Sequence, residues 1–173
     1  MELQSILENA HTDDAMFRKL YDLTVNKVFH YLLIRTGDRD VAKDVTQDVY
    51  AALWRALAGF KYSSDEEFYG FLFTIVRRTL ARSRRLRVGE THALRLEDGF
   101  DIAAPVEEHE DYRRLLAHLA TLSHNQQLVI KLRYFSDFSF KEIASALGMS
   151  ENNAKVLHHR ALERLHTLAN DYV

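Results

Sequence analysis

The stretch SFKEIASALGMSENNAKVLHHRALERL, residues 139–165, decides the fold. Ser139 stands three residues before Glu142, the spacing of a capping box, in which each residue satisfies a backbone N–H at the helix start. Phe140 to Leu147 is a short helix with Ile143, Ala144 and Leu147 on its apolar side. Gly148 permits the positive φ at which a chain can reverse, and Ser150 offers a second N-cap. Ala154, Leu157 and Ala161 then recur at steps of three and four, one face of a helix running to about Ala169. Two helices across so tight a turn make a helix-turn-helix, with Ile143 and Leu147 placed to pack on Ala154, Leu157 and Ala161. In that geometry the start of the second helix enters a major groove. The side chains there are Glu151, Asn152, Asn153 and Lys155, with His158, His159 and Arg160 further along. Asn can pair bidentately with adenine, and Arg or Lys with guanine. A plain αα-hairpin with a solvated face carries the same pattern, so this segment alone leaves both readings open.

Upstream, Ser123 and Gln126 repeat the capping-box spacing ahead of Leu128, Val129, Ile130 and Leu132. Helical periodicity begins at Tyr112, Leu115, Leu116 and Leu119. Between Val88 and Glu107 the pattern fails. That stretch holds two glycines and the only proline, Pro105. An acidic block also falls here: Glu90, Glu97, Asp98, Asp101, Glu107, Glu108 and Glu110, against Arg95 alone. We read 88–107 as a flexible acidic linker, because about twenty residues is long for a connection inside one compact domain.

Three helices are expected before the linker. Thr12 is a candidate N-cap for the first, whose apolar face is Met16/Phe17, Leu20/Tyr21, Val28/Phe29 and Leu32/Leu33. Thr36-Gly37-Asp38 ends it and caps the second, which carries Val41, Val45, Val49, Leu53 and Leu57 on one side and closes at Gly59. A polar loop from Lys61 to Glu67 precedes a third helix, from about Glu66 to Leu86, with Phe68, Phe71, Leu72, Ile75, Val76 and Leu80 as its stripe. Its end is basic: Arg77, Arg78, Arg82, Arg84, Arg85 and Arg87 stand together without one acid. A solvated face is one reading of that block, and phosphate binding is the better one.

Composition agrees with an all-α protein of two small helical domains, 12–87 and 108–173, joined by the linker. Only 6 Gly and 1 Pro in 173 residues argue against the many turns of an all-β fold. No apolar run is long enough to span a bilayer, and MELQSILENAHTDD lacks the basic flank of a secretory signal. These features imply no membrane insertion and a cytoplasmic location. The absence of cysteine excludes disulfides, thiolate metal sites and thiol-based redox sensing. A net charge of −2 looks wrong for a nucleic-acid binder, but the charge is sorted into blocks and the sum conceals it.

Residues 116–165, LAHLATLSHNQQLVIKLRYFSDFSFKEIASALGMSENNAKVLHHRALERL, resemble the C-terminal domain of extracytoplasmic-function (ECF) sigma factors, subunits of bacterial RNA polymerase. The resemblance rests on Leu132-Arg133-Tyr134, on Ser139-Phe140-Lys141-Glu142-Ile143-Ala144, on Leu147-Gly148 and Ser150, and on Lys155 with His159-Arg160-Ala161. It implies that Asn152, Asn153, Lys155, His159 and Arg160 read the upstream (−35) promoter element. Where the family often has Ser-Arg-Leu, this chain has Val156-Leu157-His158, so base preference does not carry over.

The other sigma domain is resembled by residues 13 to 86. Gly37-Asp38 and Asp44-Val45-Thr46-Gln47-Asp48-Val49-Tyr50, followed by Trp54, stand where the family has its polymerase-docking helix. The resemblance implies core RNA polymerase as a partner, held by Asp44, Gln47, Asp48 and Tyr50. Asp44, Gln47 and Asp48 share one helix face by spacing, whereas Trp54 is expected in the core. Phe68-Tyr69-Gly70-Phe71-Leu72-Phe73-Thr74-Ile75 resembles the aromatic stretch that melts the downstream (−10) element, with Phe71 in place of the usual Trp and Arg78 where Asn is common. On that reading Ser63, Ser64 and Asp65 form the base pocket, with Tyr69 and Phe71 beside it, and Arg77, Arg78, Arg82, Arg84 and Arg85 hold phosphates. Phe68, Leu72 and Ile75 are expected mostly in the core. The family also implies promoter DNA and an anti-sigma factor as partners, and a linker that threads the polymerase.

Three other classes fit the sequence less well. A repressor or response-regulator output would need a ligand pocket or a phospho-acceptor domain, and neither is apparent. Nine His invite a nuclease, but no His-x-x-x-His pair or Glu/His set has metal-ligand spacing, so no catalytic residue, metal or cofactor is expected. A helical adaptor would not direct promoter-specific transcription. The sequence leaves the promoter, the regulon, the signal and the anti-sigma factor unidentified.

Overall fold

The computed structural model describes residues 2–87 and 117–170, and every element among them is helical. The linker at 88–107, and the helix start at Tyr112, Leu115 and Leu116, lie outside the described residues.

The chain begins with α1 (Glu2–Asn9), a helix the sequence reading passed over. Ile6, Leu7 and Ala10 are buried, at the spacing of one face, and α1 packs on α2 (Asp14–Thr36). Asp13, not Thr12, caps α2: its side chain accepts from the N–H of Ala15 at 2.8 Å and of Met16 at 3.3 Å. Gly37, at φ 66°, closes α2, and Asp38 caps α3 (Arg39–Leu57). The helix α4 (Asp65–Arg87) follows, with Ser64 Oγ accepting from Glu67 N–H at 3.2 Å. Phe68, Leu72, Phe73, Val76 and Leu80 are buried, while Ile75 is half-buried. Trp54 is half-buried too, set edge-on against Phe17 with ring centroids 4.8 Å apart.

After a helical stretch at 117–120, α5 (His124–Phe135) and α6 (Phe140–Leu147) both start on the expected capping boxes, Ser123/Gln126 and Ser139/Glu142. Gly148 takes φ 68°, and Ser150 Oγ accepts from Asn153 N–H at 3.2 Å to start α7 (Glu151–Asn170). The helix-turn-helix is therefore α6 and α7. Ala161 departs from the expected packing: it joins a separate cluster with Leu119, Leu122 and Ile130.

The two halves share apolar contacts. Val129, Leu132, Phe138, Ile143, Ala146 and Ala154 belong to the same buried cluster as the core of α1–α4. Asp137, between α5 and α6, adopts φ 53°, a left-handed conformation that Asp tolerates better than most residues. Arg133 Nη1 donates to Phe138 O at 2.8 Å. This bend buries Phe138, whose ring centroid is 5.8 Å from that of Phe73 in α4.

Candidate nucleic-acid interface

On α7 the residues expected to read bases, Asn152, Asn153, Lys155, His159 and Arg160, are all exposed. Lys155 pairs with Glu151 at 2.6 Å and His159 Nε2 lies 3.3 Å from Glu163, so two of the five are held by neighbours one turn away. His158 is different. Its ring stacks on Tyr134 (centroids 5.7 Å, interplanar 23°), meets Phe140 edge-on at 5.1 Å and lies 3.2 Å from the Tyr134 hydroxyl. Burial and the nearby Arg133 hold it below the ordinary histidine value, so it packs as a neutral ring.

The basic end of α4 divides into two stripes. Arg78, Arg82 and Arg85, at i, i+4 and i+7, are exposed on one face. Arg77 and Arg84 stand seven apart on the stripe of Phe73 and Leu80, both buried. Arg84 Nη2 donates to Arg35 O at 2.7 Å, and burial with the nearby Arg35 lowers its pKa. Arg77 Nη1 donates to Ser145 O and to Ala146 O, the latter at 3.1 Å, and Nη2 to Thr74 Oγ1 at 3.1 Å. A guanidinium at the carbonyl end of α6 complements the helix dipole. Of the five arginines expected to hold phosphates, the structure keeps Arg78, Arg82 and Arg85 on the open face.

Ahead of α4, Ser63 and Asp65 are exposed and Ser64 is half-buried. The Tyr62 hydroxyl donates to Asp65 Oδ1 at 2.7 Å. Phe71 stacks on Phe60 (4.6 Å, 24°) and remains half-buried. Tyr69 is half-buried beside Lys27, whose Nζ lies 5.8 Å from the ring centre.

Asp44, Gln47 and Asp48 project from α3 opposite its buried stripe. Tyr50 does not join them. It is buried, 2.7 Å from Thr24 Oγ1, and burial raises its pKa far above the ordinary phenol value. It supports the exposed face from beneath, because it lies on the Val41/Val45/Val49 side of the helix.

Sequence reasoning missed the residues that join the halves. Lys27 pairs with Glu142, their side chains 29% and 14% exposed. Lys141 pairs with Glu66. A local signal existed for Lys27: it sits between Thr24 and Tyr31, at i−3 and i+4, and both are buried. A lysine on a buried stripe requires a partner.

The comparisons agree with this arrangement. Residues 16–88 match the family described as Sigma-70 region 2, and residues 112–165 match Sigma-70, region 4. The ECF RNA polymerase sigma factor BldN of Streptomyces coelicolor is 28% identical over 176 residues, covering 98% of this chain and 66% of BldN. SigX of Bacillus subtilis, another ECF sigma factor, is 28% identical over 159 residues, covering 86% of this chain and 81% of SigX. Among solved structures, CnrH in complex with the cytosolic domain of CnrY covers 99% of both chains at a TM-score of 0.66 and 22% identity, a likeness of fold. With both regions present in order, one on α2–α4 and one ending in the α6–α7 helix-turn-helix, the chain belongs to the ECF group of RNA polymerase sigma factors, which direct promoter-specific transcription initiation.

Proposed function

We propose that this chain docks on core RNA polymerase through the exposed side of α3 and divides promoter reading between its halves. Asp44, Gln47 and Asp48 form the docking face. Asn152, Asn153, Lys155, His159 and Arg160 read the −35 element. The loop Ser63–Asp65, with Tyr69 and Phe71, captures the −10 strand, while Arg78, Arg82 and Arg85 hold its phosphates. The observation that carries this reading is the separation of three polar exposed faces, on α3, α4 and α7, each backed by a buried side of its own helix. None of the three has to be covered by another for the fold to stand. The units are 12–87 and 108–173, with 88–107 between them and α1 added to the first.

The chain works by binding, without catalysis, in the cytoplasm. Among the described residues no helix is long and apolar enough to cross a membrane. An anti-sigma factor is a further partner on this reading, supported by the likeness to CnrH, which was solved with the cytosolic domain of CnrY.

The test is a pull-down on core polymerase. Asp48→Arg reverses an exposed charge, so circular dichroism is expected to be unchanged while retention on core falls at least about tenfold, the effect of 1.4 kcal/mol. Normal retention of a folded variant removes α3 from the interface.

A further inference from the structure

Two guanidinia meet where the last turn of α2 lies against α4. Arg84, on α4, donates from Nη2 to Arg35 O at 2.7 Å. Arg35, in the last turn of α2, sets its own Nη1 3.5 Å from Nε2 of His124, the first residue of α5. Both arginines are half-buried. Tyr31, one turn before Arg35, is buried, and the charges of Arg35, Arg77 and Arg84 all act on its hydroxyl.

The structural role of Arg84 is clear in part, because a cation near a helix C-terminus satisfies a carbonyl and complements the dipole. That role accounts for one nitrogen of Arg84 and for nothing in the Arg35 side chain. Arg35 Nε is fully buried and has no hydrogen-bond partner, so this edge of the guanidinium has left water without gaining an acceptor. The charges acting on Arg84 are those of Arg35 and Tyr31, with no carboxylate between them. Among the described residues neither guanidinium takes part in an ion pair. Lys27, partly buried on the same helix as Arg35, does have its carboxylate, Glu142. Two like charges half out of water are stable together when an anion lies between them. The planar guanidinium fork matches the geometry of a phosphate.

We propose that Arg35 and Arg84 form a binding site for the terminal phosphate of a small ligand, with the His124 ring at its rim. Arg35 Nε is enclosed, so the phosphate meets the outer, Nη edge of that guanidinium. Charge selects a terminal phosphate over a DNA backbone. A phosphate monoester carries about −1.5 to −2 at neutral pH, a match for two fixed cations, whereas each backbone phosphate of DNA carries a single charge. Position selects it as well. Arg84 lies on the inward stripe of α4, away from Arg78, Arg82 and Arg85 on the exposed one. The site is therefore separate from the surface assigned to promoter DNA, and both of its guanidinia belong to the α1–α4 half.

The test uses the full-length chain with pyrophosphate as the probe, against sodium chloride of equal ionic strength. Thermal unfolding reads stabilisation, since a ligand that binds only the folded state raises Tm by mass action. Phosphorus-31 NMR reads binding directly. Pyrophosphate is expected to raise Tm above the chloride control and to saturate. Arg35→Gln and Arg84→Gln are each expected to weaken its binding at least about tenfold, the loss of one charge-assisted fork. Arg35→Gln is also expected to leave the Tm of the unliganded chain undiminished, because it relieves repulsion on Arg84. Arg35→Lys keeps the charge and the fold but loses the fork, and is expected to weaken binding at least about threefold. Joint replacement of Arg78, Arg82 and Arg85 by Ala is expected to change it by less than about twofold, because those side chains lie on the other stripe.

A Tm no higher in pyrophosphate than in chloride overturns the proposal. So does a loss of binding in the triple variant equal to that in Arg35→Gln, which moves the site to the exposed stripe. A purely structural Arg35 has its own signature: Arg35→Gln then lowers the unliganded Tm and leaves the gain from pyrophosphate intact. Displacement of pyrophosphate by a single strand with hydroxyl groups at both ends, which offers only internal phosphates, overturns the assignment to a terminal phosphate.

Discussion

Arg77 and Arg78 are chain neighbours with opposite fates, and the difference is helix geometry. One step turns a side chain by about 100°, enough to move it from the buried side to the open one. Counting arginines along the sequence could not separate them, but the stripe of Phe73, Arg77, Leu80 and Arg84, at steps of four, three and four, could have done so. The division has a measurable consequence. Replacing Arg78, Arg82 and Arg85 together by Ala is expected to lower the salt slope of holoenzyme binding to promoter DNA by about two to three, at roughly 0.7 to 0.9 per phosphate contact. Arg84→Ala is expected to leave the slope where it was, since that side chain is turned to Arg35 O. Equal effects from the exposed and inward arginines would contradict the split.

His158 gives a second prediction at this scale. Its pKa in the folded chain lies below the ordinary 6.5, because burial and Arg133 disfavour the imidazolium. The folded state therefore binds this proton less readily than the unfolded one. The stabilising contribution is complete above about pH 6.5 and is lost as pH falls through the depressed folded value. Thermal unfolding followed from pH 7.5 to 5.5 is expected to show a smaller drop in Tm for His158→Phe, which keeps an aromatic ring against Tyr134, than for the parent chain. A steeper drop in the variant would mean that His158 is protonated in the fold.

At the scale of elements, much of the architecture was legible because its signals are local. Both capping boxes, the Gly37-Asp38 junction and the Gly148 reversal depend on residues within a turn of one another, and each appears as read. The helix α1 was missed for the converse reason. It is 8 residues long, too short to be stable alone, and it exists because Ile6, Leu7 and Ala10 find α2 to cover them. Tyr50 shows the limit of motif position: its place beside Asp48 suggested the exposed face, while its burial follows from the stripe of Val45, Val49 and Leu53. Leu7→Ala is expected to destabilise the chain by about 2–4 kcal/mol, read as a shift of the denaturation midpoint at constant m-value. A loss under about 0.5 kcal/mol, the range of ordinary surface substitutions, would mean that α1 is an appendage.

At the scale of the whole molecule, sequence patterns gave two units and could not say that they touch. Lys27 and Glu142 are 115 positions apart, and Arg77 and Ala146 are 69 apart, distances across which no periodicity carries. The seam is the sum of such pairs around Phe73 and Phe138. Asp44, Gln47 and Asp48 on α3, Arg78, Arg82 and Arg85 on α4 and the reading residues of α7 all stay exposed beside that seam, and the division of promoter reading between α4 and α7 is the central proposal. The most direct test is transcription by core polymerase supplied with this chain over a randomised promoter library, with and without Asn153→Ala. Two separated enriched elements are expected for the parent. For the variant, selection is expected to relax in the upstream element alone, by about 1–3 kcal/mol at one base pair if Asn153 makes a bidentate contact. A single enriched element, or a variant that alters the downstream element as well, would contradict it.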